Sequence, residues 1–154
     1  MTIPAKGSNH LRQGRHSRPG QIYLITTTTH NRRHIFTDTR AAKLVLDSLY
    51  WLEQEGRMAL EAAIVMPDHL HFVAQLHGKG LDHLMLSLKG YTGRVINRLL
   101  AAHGPVWQTQ YHDHAVRKNE DLRRIILYCL QNPVRAGLVN DFHRYPHWYC
   151  RYEV

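Results

Sequence analysis

Two apolar runs rich in strand-forming residues, Ala59 to Met66 and His69 to Leu76, are separated only by Pro67-Asp68. A link that short joins antiparallel neighbours, because a parallel pair needs a crossover of a dozen or more residues. The hairpin therefore sets the geometry that the rest of the chain must complete. Ile22 to Thr29, dense in β-branched residues and Tyr, reads as an earlier strand ending in the polar turn His30-Asn31-Arg32-Arg33. Asp38 opens a helix to about Gln54, with Ala41, Leu44, Val45, Ser48, Leu49 and Leu52 at helical spacing and Gly56 as its stop.

After the hairpin, Gly78-Lys79-Gly80 leads into a second helix from Leu81 to about Ala102. Its expected buried stripe is Leu81, Leu84, Met85, Leu88, Val95 and Leu99. Val106 to Val116 is extended and contains Trp107 and Tyr111. Asn119 is placed to cap a third helix, with Glu120 and Asp121 in its first turn, that stops before Pro133. The order strand, helix, strand, strand, helix, strand, helix predicts an α+β fold. We expect a ferredoxin-like (RRM-like) antiparallel sheet with helices on one face and an extra C-terminal helix carrying Tyr128.

The 154 residues suit one core, and 44% hydrophobic with 21% charged residues excludes a disordered chain. Residues 21–154 are read as a single domain and 1–20 as an irregular basic arm interrupted by Pro4, Gly7, Gly14, Pro19 and Gly20. From Met1 to Ile35 the charged residues are all basic (Lys6, Arg12, Arg15, Arg18, Arg32, Arg33), so six of the net +8 charges sit there. A polyanion such as nucleic acid is the partner this balance suggests, and a merely solubilising tail is the alternative for the arm. Two cysteines, Cys129 and Cys150, cannot build a disulfide framework. With no signal-peptide pattern and no apolar run of membrane-spanning length, a cytoplasmic protein is expected.

Thirteen histidines are a surplus for this length. His69 and His71 alternate with Leu70 and Phe72, so on a strand the two imidazoles share one face while the apolar residues anchor the other. That arrangement suits bidentate metal binding, or leaves a half-exposed pair without a ligand. His112 and His114 repeat the spacing around Asp113, which offers no apolar anchor; His114 is a candidate phosphate contact and His112 a structural hydrogen-bonding residue. On the third helix Leu122, Ile125, Ile126, Cys129 and Leu130 form a stripe, and Tyr128 falls about 130° from its middle. It is either an exposed tyrosine packing on a neighbour or a functional one. Gln131 and Asn132 follow it at i+3 and i+4.

Taken together, Val65-Met66-Pro67-Asp68-His69-Leu70-His71, Trp107-Gln108 with His112-Asp113-His114, and Tyr128 with Asn132-Pro133-Val134-Arg135-Ala136-Gly137-Leu138-Val139 resemble the HUH-class single-tyrosine transposases. Within that class the chain is most similar to the branch associated with repetitive extragenic palindromes (REP). The resemblance implies that His69 and His71 bind a divalent metal, Mg²⁺ or Mn²⁺, that Tyr128 is the nucleophile, and that single-stranded DNA flanked by a hairpin is cleaved and joined through a 5′-phosphotyrosine. Insertion-sequence relatives carry Gln four residues after the Tyr as a further ligand, where this chain has the shorter Asn132. Lys89, Arg94 and Arg98 on the second helix, with Arg15, Arg18, Arg32, Arg33 and His114, are the candidate DNA contacts. The resemblance implies a monomer or a homodimer.

Chemically, a phenol of pKa about 10 is a poor nucleophile near neutrality, so a cation on the phosphate is needed to stabilise developing charge. Imidazole softness alone would favour zinc. Two other functions compete: a non-catalytic single-stranded nucleic-acid-binding module on the same fold, and a zinc-dependent hydrolase. Deleting the first eighteen residues is expected to weaken binding to hairpin-bearing single-stranded DNA and to flatten its salt dependence in a filter-binding titration. Unchanged affinity and slope would reject a DNA role for the arm.

Overall fold

A computed structural model describes residues 18–154. Most of the basic arm, Arg15 included, lies outside the described residues. Strand β1 (Ile22–Thr28) is followed by two short 3₁₀ turns (His30–Arg32 and Ile35–Thr37) and helix α1 (Thr39–Gln54). The hairpin is β2 (Met58–Met66) and β3 (His69–Leu76), and α2 (Leu81–Leu100) leads to a short β4 (His112–Ala115). Then come α3 (Leu122–Leu130), a single helical turn α4 (Asn132–Arg135), a 3₁₀ turn at Phe142–Arg144 and β5 (Trp148–Cys150). The sheet order is β4-β1-β3-β2-β5, with antiparallel pairing throughout. β1 and β2 therefore run parallel with β3 between them, as the crossover through α1 requires.

The local signals act largely as expected. Asp38 caps α1 by accepting from the Arg40 backbone N–H, and Gly56 follows the helix at a φ of +73° that other residues adopt only with strain. In α3 the cap is Asp121, which accepts from Arg123 N–H, and not Asn119. Glu120 is instead turned back to His114 and the Arg117 N–H. Along α2 the buried stripe continues through Thr92 and Ile96 rather than Val95 and Leu99. A buried threonine is accommodated because its hydroxyl donates to the Leu88 carbonyl at 2.6 Å and accepts from the Trp107 indole N–H at 2.9 Å. Only four residues of the extended 106–116 segment pair as a strand. Lys89 holds its earlier part, donating to the carbonyls of Gln108, Thr109 and Gln110.

Both faces of the sheet are covered. On one, Tyr23, Ile25, Leu60, Ala63, Val65, Leu70, Phe72 and Leu76 meet α1 and α2, with Trp107 and Tyr111 closing the edge. On the other, Leu24, Ala62, Ile64, Met66 and Val73 meet Ile125, Ile126, Cys129 and Leu130 of α3 together with Phe142 and Tyr145. The expectation of helices on one face thus holds for the two long ones, while α3 packs on the opposite side. A β-bulge between Leu60 and Ala62 changes the parity of β2, so that Leu60 and Ala63 share a face. Glu61, the residue at the bulge, is buried near the Arg151 guanidinium. No described helix is long and apolar enough to cross a membrane.

Thr92→Val should leave the Trp107 N–H buried without its acceptor and lower stability by about 1–3 kcal/mol. Urea denaturation measures this, and an unchanged midpoint would contradict it.

Candidate active site

Because Leu70 and Phe72 are locked under α1 and α2, His69 and His71 point to the face that α3 covers. Their ring centroids are 4.6 Å apart and their planes nearly perpendicular. Each ring is oriented by a partner at Nδ1. His69 Nδ1 lies 2.6 Å from Asp68 Oδ1, and Asp68 Oδ2 is in turn 3.2 Å from Arg32 Nε. His71 Nδ1 lies 2.6 Å from the hydroxyl of Thr26, its direct cross-strand neighbour on β1. With Nδ1–H donated to these oxygens, the Nε2 lone pair of each ring is left for a cation.

Burial is the largest influence on both rings and pushes their pKa values down. For His69 the Asp68 carboxylate works in the opposite direction, whereas for His71 the neighbouring His69 and Arg135 add to the depression. Both imidazoles are therefore neutral at pH 7, the state a metal needs. No third His, Cys, Asp or Glu joins them in a metal-holding group among the described residues. Two neutral nitrogens suit a cation that completes its shell with oxygens from water and phosphate. They fall short of the three or four protein ligands of a zinc site.

Tyr128 stands off the buried stripe of α3, half-buried against the same apolar cluster. Its hydroxyl makes no hydrogen bond among the described residues. The Arg135 guanidinium lies over its ring, 4.1 Å from the centroid, and donates to the Tyr128 carbonyl at 2.7 Å. Arg135 thus touches Tyr128 while its charge is felt at His71. Asn132 opens α4, with its amide free of hydrogen bonds among the described residues, and Gln131 caps α3.

The candidate DNA contacts are dispersed. Lys89, Arg94 and Arg98 sit on α2, across the sheet from the histidine pair, so a strand seated at that pair would have to round an edge to reach them. Lys89 is engaged by three carbonyls, and Arg94 and Arg98 are exposed. His114 faces the same side as His71 but has its Nε2 3.0 Å from Glu120. Arg32 is bound to Asp68, Arg33 donates to the Pro105 carbonyl at 2.7 Å, and Arg18 is exposed. Thr26, Asp68 and Arg135 were given no role from sequence. Of these, only Asp68 had a legible signal, a carboxylate directly preceding a candidate ligand.

An antiparallel sheet of this order thus carries paired imidazoles and a tyrosine-bearing helix on one face, and a family comparison says which class of enzyme the chain is. The family profile described as "Transposase IS200 like" matches residues 18–131, and the chain belongs to that family. The REP-associated tyrosine transposase of Escherichia coli (strain K12) is 23% identical over 129 residues, 82% of this chain and 74% of that protein. A solved structure of a REP-associated tyrosine transposase bound to a REP hairpin matches with a TM-score of 0.68 at 22% identity, covering 87% of this chain and 79% of that one. A putative transposase from Deinococcus radiodurans R1 matches with a TM-score of 0.53 at 22% identity, covering 72% and 88%. Both structures share the fold.

Because the folded histidine pair binds protons less readily than unfolded chain, its contribution to stability is complete above about pH 6.5 and is lost as pH falls below that value. Thermal melting should show this decline. Replacing His71 by Gln should make the decline shallower, and a profile identical to that of the unaltered protein would contradict the assignment.

Proposed function

We propose that this transposase cleaves and rejoins single-stranded DNA beside a hairpin through a 5′-phosphotyrosine at Tyr128, with Mg²⁺ or Mn²⁺ held by His69 and His71 and Asn132 as an additional oxygen donor. The observation that carries the reading is the placement of two Nδ1-anchored imidazoles and of a hydroxyl without a hydrogen bond among the described residues on the same face of the sheet. The hairpin follows from the structural relative that is bound to one.

The cation, when bound, supplies Lewis-acid stabilisation of charge on a non-bridging phosphate oxygen. Asp68 and Thr26 keep the two rings aimed, so that the phosphate is held without reorganisation. Tyr128 Oη forms a bond to phosphorus as the phosphorus–O3′ bond breaks. The phenolic proton passes to solvent, and the departing O3′ takes up a proton as a 3′-hydroxyl. The phosphotyrosine bond conserves the energy of the phosphodiester, so a 3′-hydroxyl from another strand reverses the step without a nucleotide cofactor.

Incubation with hairpin-bearing single-stranded DNA and Mn²⁺ or Mg²⁺ should give a covalent adduct resolved on a denaturing gel, and Tyr128→Phe should give none. An adduct that survives Tyr128→Phe would eliminate the proposed nucleophile. Binding without an adduct under either metal would favour a non-catalytic binding module. Metal-dependent hydrolysis that persists in Tyr128→Phe would favour a zinc hydrolase.

A further inference from the structure

The hydroxyl of Tyr128 is tethered to nothing among the described residues, so only packing and one side chain restrain the ring. That side chain is Arg135, seven residues on. In an unbroken helix seven residues climb about 10 Å along the axis, which would stretch any contact between the two. Here the helix is interrupted. Gln131 ends α3 with a ψ of 1°, buried Pro133 starts a new turn, and Gly137 ends that turn at a φ of +74°, with Leu138 N–H donating to the Pro133 carbonyl. Gly137 has the conformation that lets the chain leave a helix at once. The short turn α4 brings Arg135 back over the residue it follows.

We propose that Arg135 is a positioning residue for Tyr128. Its guanidinium lies over the phenol ring and is hydrogen-bonded to the Tyr128 carbonyl, and it holds the ring where the hydroxyl can meet a phosphate seated at the histidine pair. This rests on the reading of Tyr128 as nucleophile. Two contacts from one planar group, one to the ring face and one to the backbone beneath it, fix both the position of the helix end and the tilt of the side chain. Lysine keeps the charge but cannot place a broad cation over the ring and direct a carbonyl bond at the same time. The guanidinium is exposed on its outer side, so its remaining N–H groups stay accessible beside the site. Its charge also faces His71, and this gives the proposal a second, activity-independent readout: removing that charge removes a repulsion against any cation at the pair.

The test compares the full chain with Arg135→Gln, Arg135→Lys and Tyr128→Phe. Single-turnover adduct formation is measured on saturating hairpin-bearing single-stranded DNA with Mn²⁺, and Mn²⁺ alone is titrated without DNA. Arg135→Gln should slow adduct formation by about 10- to 100-fold, the scale of a misoriented nucleophile. Its Mn²⁺ binding should be equal or tighter, and saturating DNA keeps any change of DNA affinity out of the measured rate. Arg135→Lys should fall between. Adduct formation at the unaltered rate in both variants would overturn the proposal. So would a slowed rate accompanied by weakened Mn²⁺ binding, which marks collapse of the site and not misplacement of one ring. Should Arg135→Gln not fold, Arg135→Lys alone decides by the same rate and Mn²⁺ criteria. An adduct that persists in Tyr128→Phe would defeat the nucleophile assignment itself and leaves a different signature.

Discussion

The burial of Leu70 and Phe72 beneath α1 and α2 is the constraint on which the site depends. Side chains on a strand alternate, so pinning these two in one core leaves His69 and His71 no choice of face. A slip of one residue in the pairing of β3 would send both imidazoles into the core beneath α1 and α2 and turn Phe72 to the opposite face. β3 is hydrogen-bonded on both edges, to β1 and to β2, and this makes that slip costly along its whole length. The histidine pair is thus held by the stiffest part of the sheet, as a site that needs sub-ångström placement requires.

The opposite face then has to be covered, and α3 covers it. The helix that buries Leu24, Ile64 and Val73 is the one that carries Tyr128, so closing the second core and bringing the phenol to the histidines' side of the sheet are one event. The same economy appears around each imidazole. Thr26 is a strand residue whose hydroxyl would otherwise seek water, and Asp68 is a turn residue that also binds Arg32. Asn31 and Arg32 both adopt left-handed backbone conformations, unusual for residues with side chains. This local strain falls beside the carboxylate that orients His69.

Much of this was legible in the amino-acid order. The bounds of β3, the Pro67-Asp68 turn and the capped α1 follow from local chemistry, and the alternation around Leu70 placed the two histidines together before any coordinates. What local chemistry could not decide was settled by partners far along the chain. Thr92 is held in the core by the Leu88 carbonyl and by the distant Trp107 indole. Asp121 caps α3 in place of Asn119, and Glu120 between them is turned to His114. Lys89 and Arg32 read as free cations until distant carbonyls and Asp68 claimed them. The side taken by α3 had a signal that went unread: Ala62 to Met66 is apolar at every position, the pattern of a strand covered on both faces.

The proposed chemistry requires Tyr128 and the histidine pair to share one side of the sheet. Mn²⁺ bound at the pair is paramagnetic and broadens nearby nuclei, so fluorine NMR of protein labelled with 3-fluorotyrosine tests it directly. The resonance lost in Tyr128→Phe should broaden first as Mn²⁺ is added, while those of Tyr50 and Tyr149, packed with the opposite core, persist to higher metal. If the Tyr50 or Tyr149 signals broaden first, or the Tyr128 signal is untouched at saturating metal, the phenol and the metal ligands do not form one site.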